Sequence, residues 1–268
     1  MTRGSQSIVS SRSSVLTARR IVVKVGSSSV SGENVAQIEP LVDALVAAYQ
    51  RGAEVVLVSS GAIATALPVL EIDRPRDLAT QQAAAAVGQN VLMWRYQTSL
   101  DRYSIIAGQV LLTAGDLENP THRSNAQRAM ERLLGLRVLP IVNENDTVAT
   151  QEIRFGDNDR LAALVSVLIK ADLLVLLSDV DALYTAPPTE PGAVRIPFVP
   201  FGDDLAGVKI GDIGAAGVGT GGAGTKVAAA QVAAASGTPV LLTATAQVAD
   251  ALAGAEIGTW FEASGATA

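Results

Sequence analysis

Acidic and amide side chains are concentrated between Ile141 and Asp159, after an apolar stretch typical of a buried strand and before one typical of a helix. In open α/β sheets, polar groups at the carboxyl ends of strands form ligand sites. Carboxylates and amides placed close together suit an ammonium group, hydroxyls or Mg²⁺, and they repel a bare phosphate unless cations intervene. A solvated acidic loop is the alternative interpretation. Because core-forming stretches flank the segment, we favour a binding site.

Three turns have the composition of phosphate sites. Gly26–Ser29 follows a predicted strand and combines backbone amides with hydroxyls, as anion-binding nests do. Gly219–Lys226 opens an alanine-rich helix, whose N-terminal amides and dipole attract anions; it matches neither a Walker A loop nor a dinucleotide fingerprint, and a flexible linker is the alternative. Ser59–Ala62 also joins a strand to a helix, where serines can simply act as caps.

Lysine is scarce: of the 20 lysine and arginine residues, only four are lysines, at Lys24, Lys170, Lys209 and Lys226. Lys24 precedes the first turn and Lys226 ends the second, which favours a chemical role for both.

Ser178 and Asp179 end another apolar strand, where the carboxylate can bond a ribose, hold Mg²⁺ or cap the next turn. Two anion sites and a separate acidic pocket predict a polyphosphate that faces a second substrate carrying an amine. The single histidine, His122, lies beside Pro120 in a stretch predicted to be irregular, and we expect it on the surface rather than as a catalytic base.

Composition narrows the class of protein. The chain has 268 residues, of which 49% are hydrophobic and 4% aromatic, so the core is built from Val, Leu, Ile and Ala, as in parallel sheets covered on both faces by helices. No stretch approaches ~20 uninterrupted apolar residues, so no membrane span is predicted. The absence of cysteine excludes disulfides and thiolate sites and fits a cytoplasmic protein. A net charge of −6 argues against general nucleic-acid binding.

Strand and helix patterns alternate from Arg20 to the end, which predicts a single α/β domain, a three-layer αβα sandwich with a mainly parallel central sheet. Strands are predicted at Ile21–Val25, Glu54–Ser59, Ile105–Leu112, Arg137–Val142, Leu173–Leu177, Pro239–Thr243 and Gly258–Phe261. Helices are predicted at Val35–Gln50, Leu78–Tyr103 with a break near Gly88, Asn125–Leu134, Asp159–Ile169 and Thr225–Ser236. Alternation within Thr147–Phe155 indicates a hairpin, Gly211–Gly224 indicates a loop, and four prolines from Pro187 to Pro197 indicate an irregular segment.

Residues 1–18 are rich in Ser and contain Arg but no Asp or Glu. A transit peptide has this composition, and so does a misassigned start or a disordered leader. Because no amphipathic pattern is present, we expect a disordered leader.

The motifs together resemble the amino acid kinase family, over the range from Arg20 to Phe261. The most selective pieces are Val58–Ile63, Ile141–Asp146 and Phe155–Asp159. The resemblance is closest to members that phosphorylate the side-chain carboxylate of glutamate at the start of proline biosynthesis. It implies a kinase domain over residues 19–265, with a glutamate-binding part at about 19–170 and an ATP-binding part at about 171–265. Many bacterial members carry a further C-terminal domain of the PUA type, which we expect to be missing here.

The resemblance also implies a role for individual residues. Lys24 and Lys226 would neutralise charge on the transferring γ-phosphoryl group, and Asp159 would hold both lysines in place. The implied glutamate ligands are Ser60, Asp146 and Asn158, with Asp157 and Asn143 as weaker candidates. The implied ATP site comprises Lys24, Gly26, Ser178, Asp179, Thr220, Gly221, Gly222, Ala223, Gly224, Thr225 and Lys226. Two pairs depart from the family pattern: Ser178-Asp179 stands where Thr-Asp is usual, and Ala223-Gly224 replaces a bulky residue and a serine.

Ligands and partners follow from the same resemblance. It implies ATP, Mg²⁺ with unassigned ligands, L-glutamate as substrate, L-proline as a feedback inhibitor in an overlapping pocket, and a homodimer or homotetramer. Another member, such as an N-acetylglutamate or uridylate kinase, is the nearest alternative, although an acetylated substrate has no ammonium for the acidic cluster. A non-catalytic nucleotide sensor is a second alternative. A nicotinamide dehydrogenase is excluded, since Lys24–Ser29 contains one glycine where its fingerprint needs three.

Overall fold

An eight-stranded sheet forms the centre of the molecule in the computed structural model, which describes residues 13–148, 157–209 and 222–265. Its strands, with two from a small separate sheet, are β1 (Arg20–Lys24), β2 (Glu54–Val58), β3 (Ala107–Leu112), β4 (Leu139–Glu144), β5 (Leu173–Ser178), β6 (Leu183–Tyr184), β7 (Arg195–Ile196), β8 (Phe198–Val199), β9 (Val240–Ala244) and β10 (Thr259–Phe261). The order in the large sheet is β3-β4-β2-β1-β5-β9-β10-β8, while β6 and β7 form an antiparallel pair. Every pair in the large sheet is parallel except β9–β10.

Helices cover both faces of this sheet. They are α1 (Ile38–Gln50), α2 (Ala62–Leu70), α3 (Leu78–Asp101), α4 (Ala114–Glu118), α5 (Pro120–Gly135), α6 (Asp157–Leu168), α7 (Ala223–Ala235) and α8 (Val248–Leu252). Successive side chains of a strand point to opposite faces, so Ile21 and Val23 join an apolar cluster with α1, α3 and α8, whereas Val22 joins a second with α5, α6 and α7. The predicted three-layer αβα sandwich with a mainly parallel sheet is confirmed. No helix in the described part of the chain is long and apolar enough to cross a membrane.

The strand order reverses direction around β1. The next three strands of the chain lie on one side of β1, in the spatial order β2-β4-β3, and the chain then crosses to β5 on the other side. Lys24 is in register with Val58 and Leu176. Such a switch point opens a crevice at the carboxyl ends of the strands, where ligands of open α/β sheets bind. Lys24 ends β1 and Ser178 ends β5 at this crevice.

Two predictions about helices were wrong. His122 lies in α5 rather than in an irregular stretch, because Asn119 caps the helix by accepting hydrogen bonds from the backbone N–H groups of Thr121 and His122 (2.9 and 3.1 Å), and Pro120 suits the first helical position. Helix α3 runs unbroken through Gly88.

Residues 13–17 are helical, and the side chain of Val15 is fully buried in the first apolar cluster. The expectation of a disordered leader is therefore wrong for these residues, since burial of Val15 stabilises their helix against the sheet. Residues 1–12 lie outside the described ranges. So do most of the predicted hairpin and most of the glycine-rich loop, including Thr220 and Gly221.

Gly88 allows α3 to approach α2 closely. A Cβ at this position would lie 1.7 Å from the carbonyl oxygen of Ala62, so one of the two backbones would have to move. We expect Gly88→Ala to lower the free energy of unfolding by an amount near the upper end of the ~1–3 kcal/mol typical of overpacking. Urea denaturation would measure it. Gly135→Ala is the matched control, because its Cβ would meet no atom within 4 Å and no loss is expected. Equal effects at the two positions would contradict the close approach.

Candidate active site

Two lysines from distant parts of the chain converge on one carboxylate. Nζ of Lys24, at the end of β1, lies 2.6 Å from Oδ1 of Asp159 in the first turn of α6. Nζ of Lys226, in the first turn of α7, lies 3.2 Å from Oδ2 of the same residue. Gly26 lies next to this ammonium group, since a Cβ there would be in van der Waals contact with Nζ of Lys24 at 4.0 Å. The structure therefore brings together Lys24, Lys226 and Asp159, as the resemblance implies.

All three groups are buried, with exposed fractions of 3% for Lys24, 6% for Lys226 and 0% for Asp159. Burial lowers the pKa of Lys24, and the Lys226 ammonium adds to this shift while Asp159 opposes it. Burial alone would raise the pKa of Asp159, but the two ammonium groups outweigh it and the pKa lies below its ordinary value. One carboxylate between two ammonium groups leaves a net positive charge with little water around it. Such a site favours an anionic ligand, because the interaction is weakly screened.

The loops that follow β1 and β5 are tied together across the crevice. The hydroxyl of Ser28 donates to both carboxylate oxygens of Asp179, at 2.9 and 3.1 Å. Thr245 lies beneath them: its hydroxyl bonds that of Ser29 at 2.8 Å and donates to the carbonyl oxygen of Ser178 at 3.3 Å. Asp179 is near enough to Lys24 for its carboxylate to oppose, together with Asp159, the lowering of the Lys24 pKa by burial. Asp179 thus has a fixed orientation at the mouth of the crevice.

The N-terminus of α7 faces the same carboxylate. Gly222 precedes the helix and provides no side-chain cap, so the first backbone amides, at Ala223 and Gly224, are without the usual intrahelical partners. Thr225 Oγ1 donates to Asp159 Oδ2 at 2.9 Å, which fixes the first turn of the helix beside the lysine pair. Amides and dipole at this end favour a phosphate group. Ala223-Gly224 lies within this turn, and neither residue adds a side-chain donor.

A cavity of about 300 Å³ lies on the other side of the crevice, between α2, α3 and the carboxyl ends of β3 and β4. This volume is at the small end of the range for ligand pockets. Its wall combines carboxylates with amides and small apolar side chains: Ala62, Ala85, Ala86, Gln89, Asn90, Gln109, Leu111, Glu144, Asn145, Asp146 and Thr147. The carboxylates suit an ammonium group and the amides suit a carboxylate, so the lining fits a small amino acid.

Two contacts join this cavity to the lysine pair. Oδ1 of Asn158 accepts a hydrogen bond from the backbone N–H of Glu144 at 3.3 Å, and the next residue is Asp159. Next to Ala62, which lines the cavity, Gly61 has φ +97°, and a Cβ there would lie 3.3 Å from Cα of Ser27. The loop after β2 therefore packs directly on the loop after β1. The wall of the cavity is thus connected, through Glu144 and through the loop before Ala62, to the elements that carry Asp159 and Lys24.

The other implied glutamate ligands occupy different places. Asp146 lines the cavity, in a 3₁₀ turn that follows β4. Ser60 is half-buried between β2 and α2, one wall of the crevice. Asn143 is buried behind the cavity wall, where Nδ2 donates to Gln89 Oε1 at 2.7 Å and Oδ1 accepts from Glu144 N at 2.9 Å. Both ends of its amide are therefore bonded to protein. Asp157 begins α6, and its side chain lies outside what the structure describes.

His122 does not take part in this site. Its side chain is exposed on α5, with Nδ1 3.0 Å from Oδ1 of Asp116. Gln89, Asn90 and Gln109 were missed by sequence reasoning, although all three line the cavity. Glutamine and asparagine are ordinary on helix and strand surfaces, so no local pattern distinguishes these three. In the described part of the chain, no group of three or more His, Cys, Asp or Glu side chains is arranged to hold a metal ion.

Comparison with known proteins places these features in a family. The amino acid kinase family matches residues 19–244. A glutamate 5-kinase of Clavibacter sepedonicus is 75% identical over 252 residues, covering 94% of this chain and 97% of that protein. A glutamate 5-kinase of Streptomyces coelicolor is 57% identical over 95% of this chain and 69% of its own length. Carbamate kinase from Giardia lamblia bound to AMP-PNP has a TM-score of 0.67 at 17% identity, covering 92% of this chain and 99% of that one. At this identity the structural likeness bears on the fold alone.

Proposed function

This chain belongs to the amino acid kinase family, and we propose from that premise that it transfers the γ-phosphoryl group of ATP to the side-chain carboxylate of L-glutamate. The product, L-glutamyl 5-phosphate, is the first intermediate of proline biosynthesis. The observation that carries this function is the 75% identity to a glutamate 5-kinase, matched over nearly its whole length. The buried lysine pair beside an amino-acid-sized cavity agrees with it.

The reaction needs charge stabilisation rather than a general base. The nucleophile is a carboxylate, which is already ionised at neutral pH. The obstacle is its repulsion by the triphosphate. Lys24 and Lys226 reduce this repulsion and stabilise the charge on the transferring group, while Asp159 keeps both ammonium groups aimed at one point. Because these groups are held by the fold before substrate binds, little reorganisation is required during transfer.

The nucleotide would occupy the crevice between the loop after β1, the loop after β5 and the N-terminus of α7. Gly26, Ser178, Asp179 and residues 220–226 are the proposed ATP ligands, of which Thr220 and Gly221 lie outside the described ranges. The fold neighbour from Giardia lamblia holds AMP-PNP, which supports a nucleotide in this fold. Mg²⁺ commonly binds through one or two carboxylates together with substrate phosphates.

The cavity would hold glutamate, with Asp146, Asn158 and Ser60 as its proposed ligands and Asp157 as a weaker candidate. Asn143, the other weaker candidate, has both ends of its amide bonded to protein and is not proposed as a direct ligand. Since L-proline also carries an ammonium and a carboxylate group, we propose that it competes for the same cavity as a feedback inhibitor. We also propose a homodimer or homotetramer, from the family resemblance.

A hydroxamate assay tests the reaction and the substrate together. Hydroxylamine traps an acyl phosphate, so the purified protein with MgATP and glutamate is expected to give a coloured hydroxamate and ADP in equal amounts. N-acetylglutamate and aspartate serve as comparison substrates. Hydroxamate from N-acetylglutamate in preference to glutamate would assign the chain to an N-acetylglutamate kinase, and nucleotide binding without ADP release would indicate a sensor.

Asp146→Asn is expected to raise the KM for glutamate ~10- to 100-fold, because the variant loses the charged partner of the substrate ammonium group. The kcat and the KM for ATP should change much less. Steady-state kinetics with each substrate varied in turn would measure this. Asp250→Asn, on the exposed surface of α8, is the matched control. A wild-type KM for glutamate in Asp146→Asn would remove Asp146 from the substrate site.

A further inference from the structure

The side-chain amide of Gln89 has an orientation that its neighbours determine. Oδ1 of Asn143 accepts from the backbone N–H of Glu144 at 2.9 Å, so Nδ2 of Asn143 must point the other way, towards Gln89. Oε1 of Gln89 accepts from that Nδ2 at 2.7 Å. A backbone N–H can only donate, so the direction of this chain of bonds is fixed from Glu144 to Gln89. The Nε2 end of Gln89 is consequently the end turned away from Asn143.

This Nε2 is a buried donor without a partner. Gln89 is 8% exposed, and its Nε2 has no hydrogen-bond partner among the described residues. The residue lines the cavity between α3 and the end of β4. Buried polar groups in native proteins are almost always paired, because an unpaired one costs free energy. A buried amide donor beside a ligand-sized cavity indicates that the ligand supplies the acceptor.

The charges around the cavity select the kind of acceptor. Glu144 and Asp146 contribute carboxylates to the wall, which attract an ammonium group and repel an anion. Gln89, Asn90 and Gln109 contribute amides, and of these Gln89 is the one whose amide orientation is fixed by a bond to Asn143. A zwitterionic ligand can pair its ammonium group with the carboxylates of the wall and its carboxylate with the amides.

We propose that Gln89 is a substrate-binding residue, whose Nε2 donates to a carboxylate oxygen of the amino acid in the cavity, and that Asn143 is the positioning residue that holds this amide. The inference rests on the proposed function for the identity of the amino acid. This role also explains why both ends of the Asn143 side-chain amide are bonded to protein. Asn143 acts through Gln89 and does not touch the substrate.

Gln89→Glu separates a binding role from a structural one. The new side chain keeps an oxygen to accept from Asn143 and has nearly the same shape, but it replaces the donor with an anionic oxygen that repels the substrate carboxylate. We expect the KM for glutamate to rise ~10- to 100-fold, with the KM for ATP near its wild-type value. The melting temperature is expected to fall, because the new carboxylate is buried. Gln50→Glu makes the same change at the exposed end of α1 and is expected to have no effect on either KM.

Wild-type activity with glutamate in the same hydroxamate assay tests the proposed function separately, so its failure and the failure of the Gln89 proposal are distinguishable. Gln89→Met, which lacks the donor but adds no charge, keeps the test informative if Gln89→Glu does not fold. A wild-type KM for glutamate in a folded variant would overturn the proposal. Equal increases in the KM values for glutamate and ATP, together with a lower melting temperature, would overturn it as well, because they would show a structural role alone.

Discussion

Replacing Lys226 by alanine is expected to lower kcat by ~10²–10³, the usual loss when one preorganised electrostatic group is removed from a transition state. The KM for glutamate should stay near its wild-type value, because the cavity for the amino acid lies across the crevice and Lys226 is not part of its wall. The rate depends on this ammonium group since it is buried, where its interaction with a transferring phosphoryl group is weakly screened. Lys24 alone would then face the triphosphate.

Initial rates with glutamate and MgATP varied independently would separate kcat from both KM values. Lys209→Ala is the matched control, because Lys209 is an exposed lysine paired only loosely, at 3.6 Å, with Glu190. Thermal melts of each variant would show whether the fold is retained. A kcat within twofold of wild type in Lys226→Ala would exclude this lysine from the mechanism.

Asp159→Asn is expected to reduce both stability and rate. The carboxylate has no exposed surface and separates two ammonium groups, so its neutral replacement would leave two like charges buried side by side. Breaking a buried ion pair by removing one partner typically costs ~3–5 kcal/mol. The kcat is expected to fall as well, because neither ammonium group retains its fixed position.

Urea denaturation would give the loss of stability, and the hydroxamate assay would give the loss of rate. Glu190→Gln makes the same type of change in the exposed pair with Lys209 and should alter the free energy of unfolding by ~0–1 kcal/mol. Full stability in Asp159→Asn, with kcat unchanged, would contradict the view that this carboxylate organises the site. Saturating MgATP is expected to restore part of the lost stability, because its phosphates would take over as partners of the two lysines.

The residues that carry charge in the site could be predicted from the sequence, whereas the residues that shape the cavity could not. Lys24 and Lys226 stood out because lysine is scarce in the chain and both lie beside glycine-rich turns. Gln89 and Gln109 gave no such signal. One lies in the middle of α3 and the other in β3, and each reaches the cavity only because these elements pack against the end of β4.

The helix break predicted at Gly88 is a second case in which the local sequence pattern did not reveal a tertiary contact. Glycine lowers helix propensity, and the sequence contains no sign that a second helix passes against this position. In the structure the carbonyl oxygen of Ala62 occupies the space that a side chain would need, so tertiary packing explains the glycine and the helix continues. The local preference was real but weaker than the packing of α3 on the sheet.

The sequence by itself determined the fold class and the chemical character of the site. Alternating apolar stretches with periods of strand and helix require a layered α/β domain, and polar residues after several strands require a ligand crevice at the carboxyl edge. Only the tertiary structure decided which groups meet there: it placed Asp159 between Lys24 and Lys226, and it placed Gln89, with its Oε1 bonded to Asn143, in the wall of the cavity. The physical reason is that strand order depends on contacts between residues far apart in the chain. Local periodicity specifies a strand, but it does not specify that β1 lies between β2 and β5.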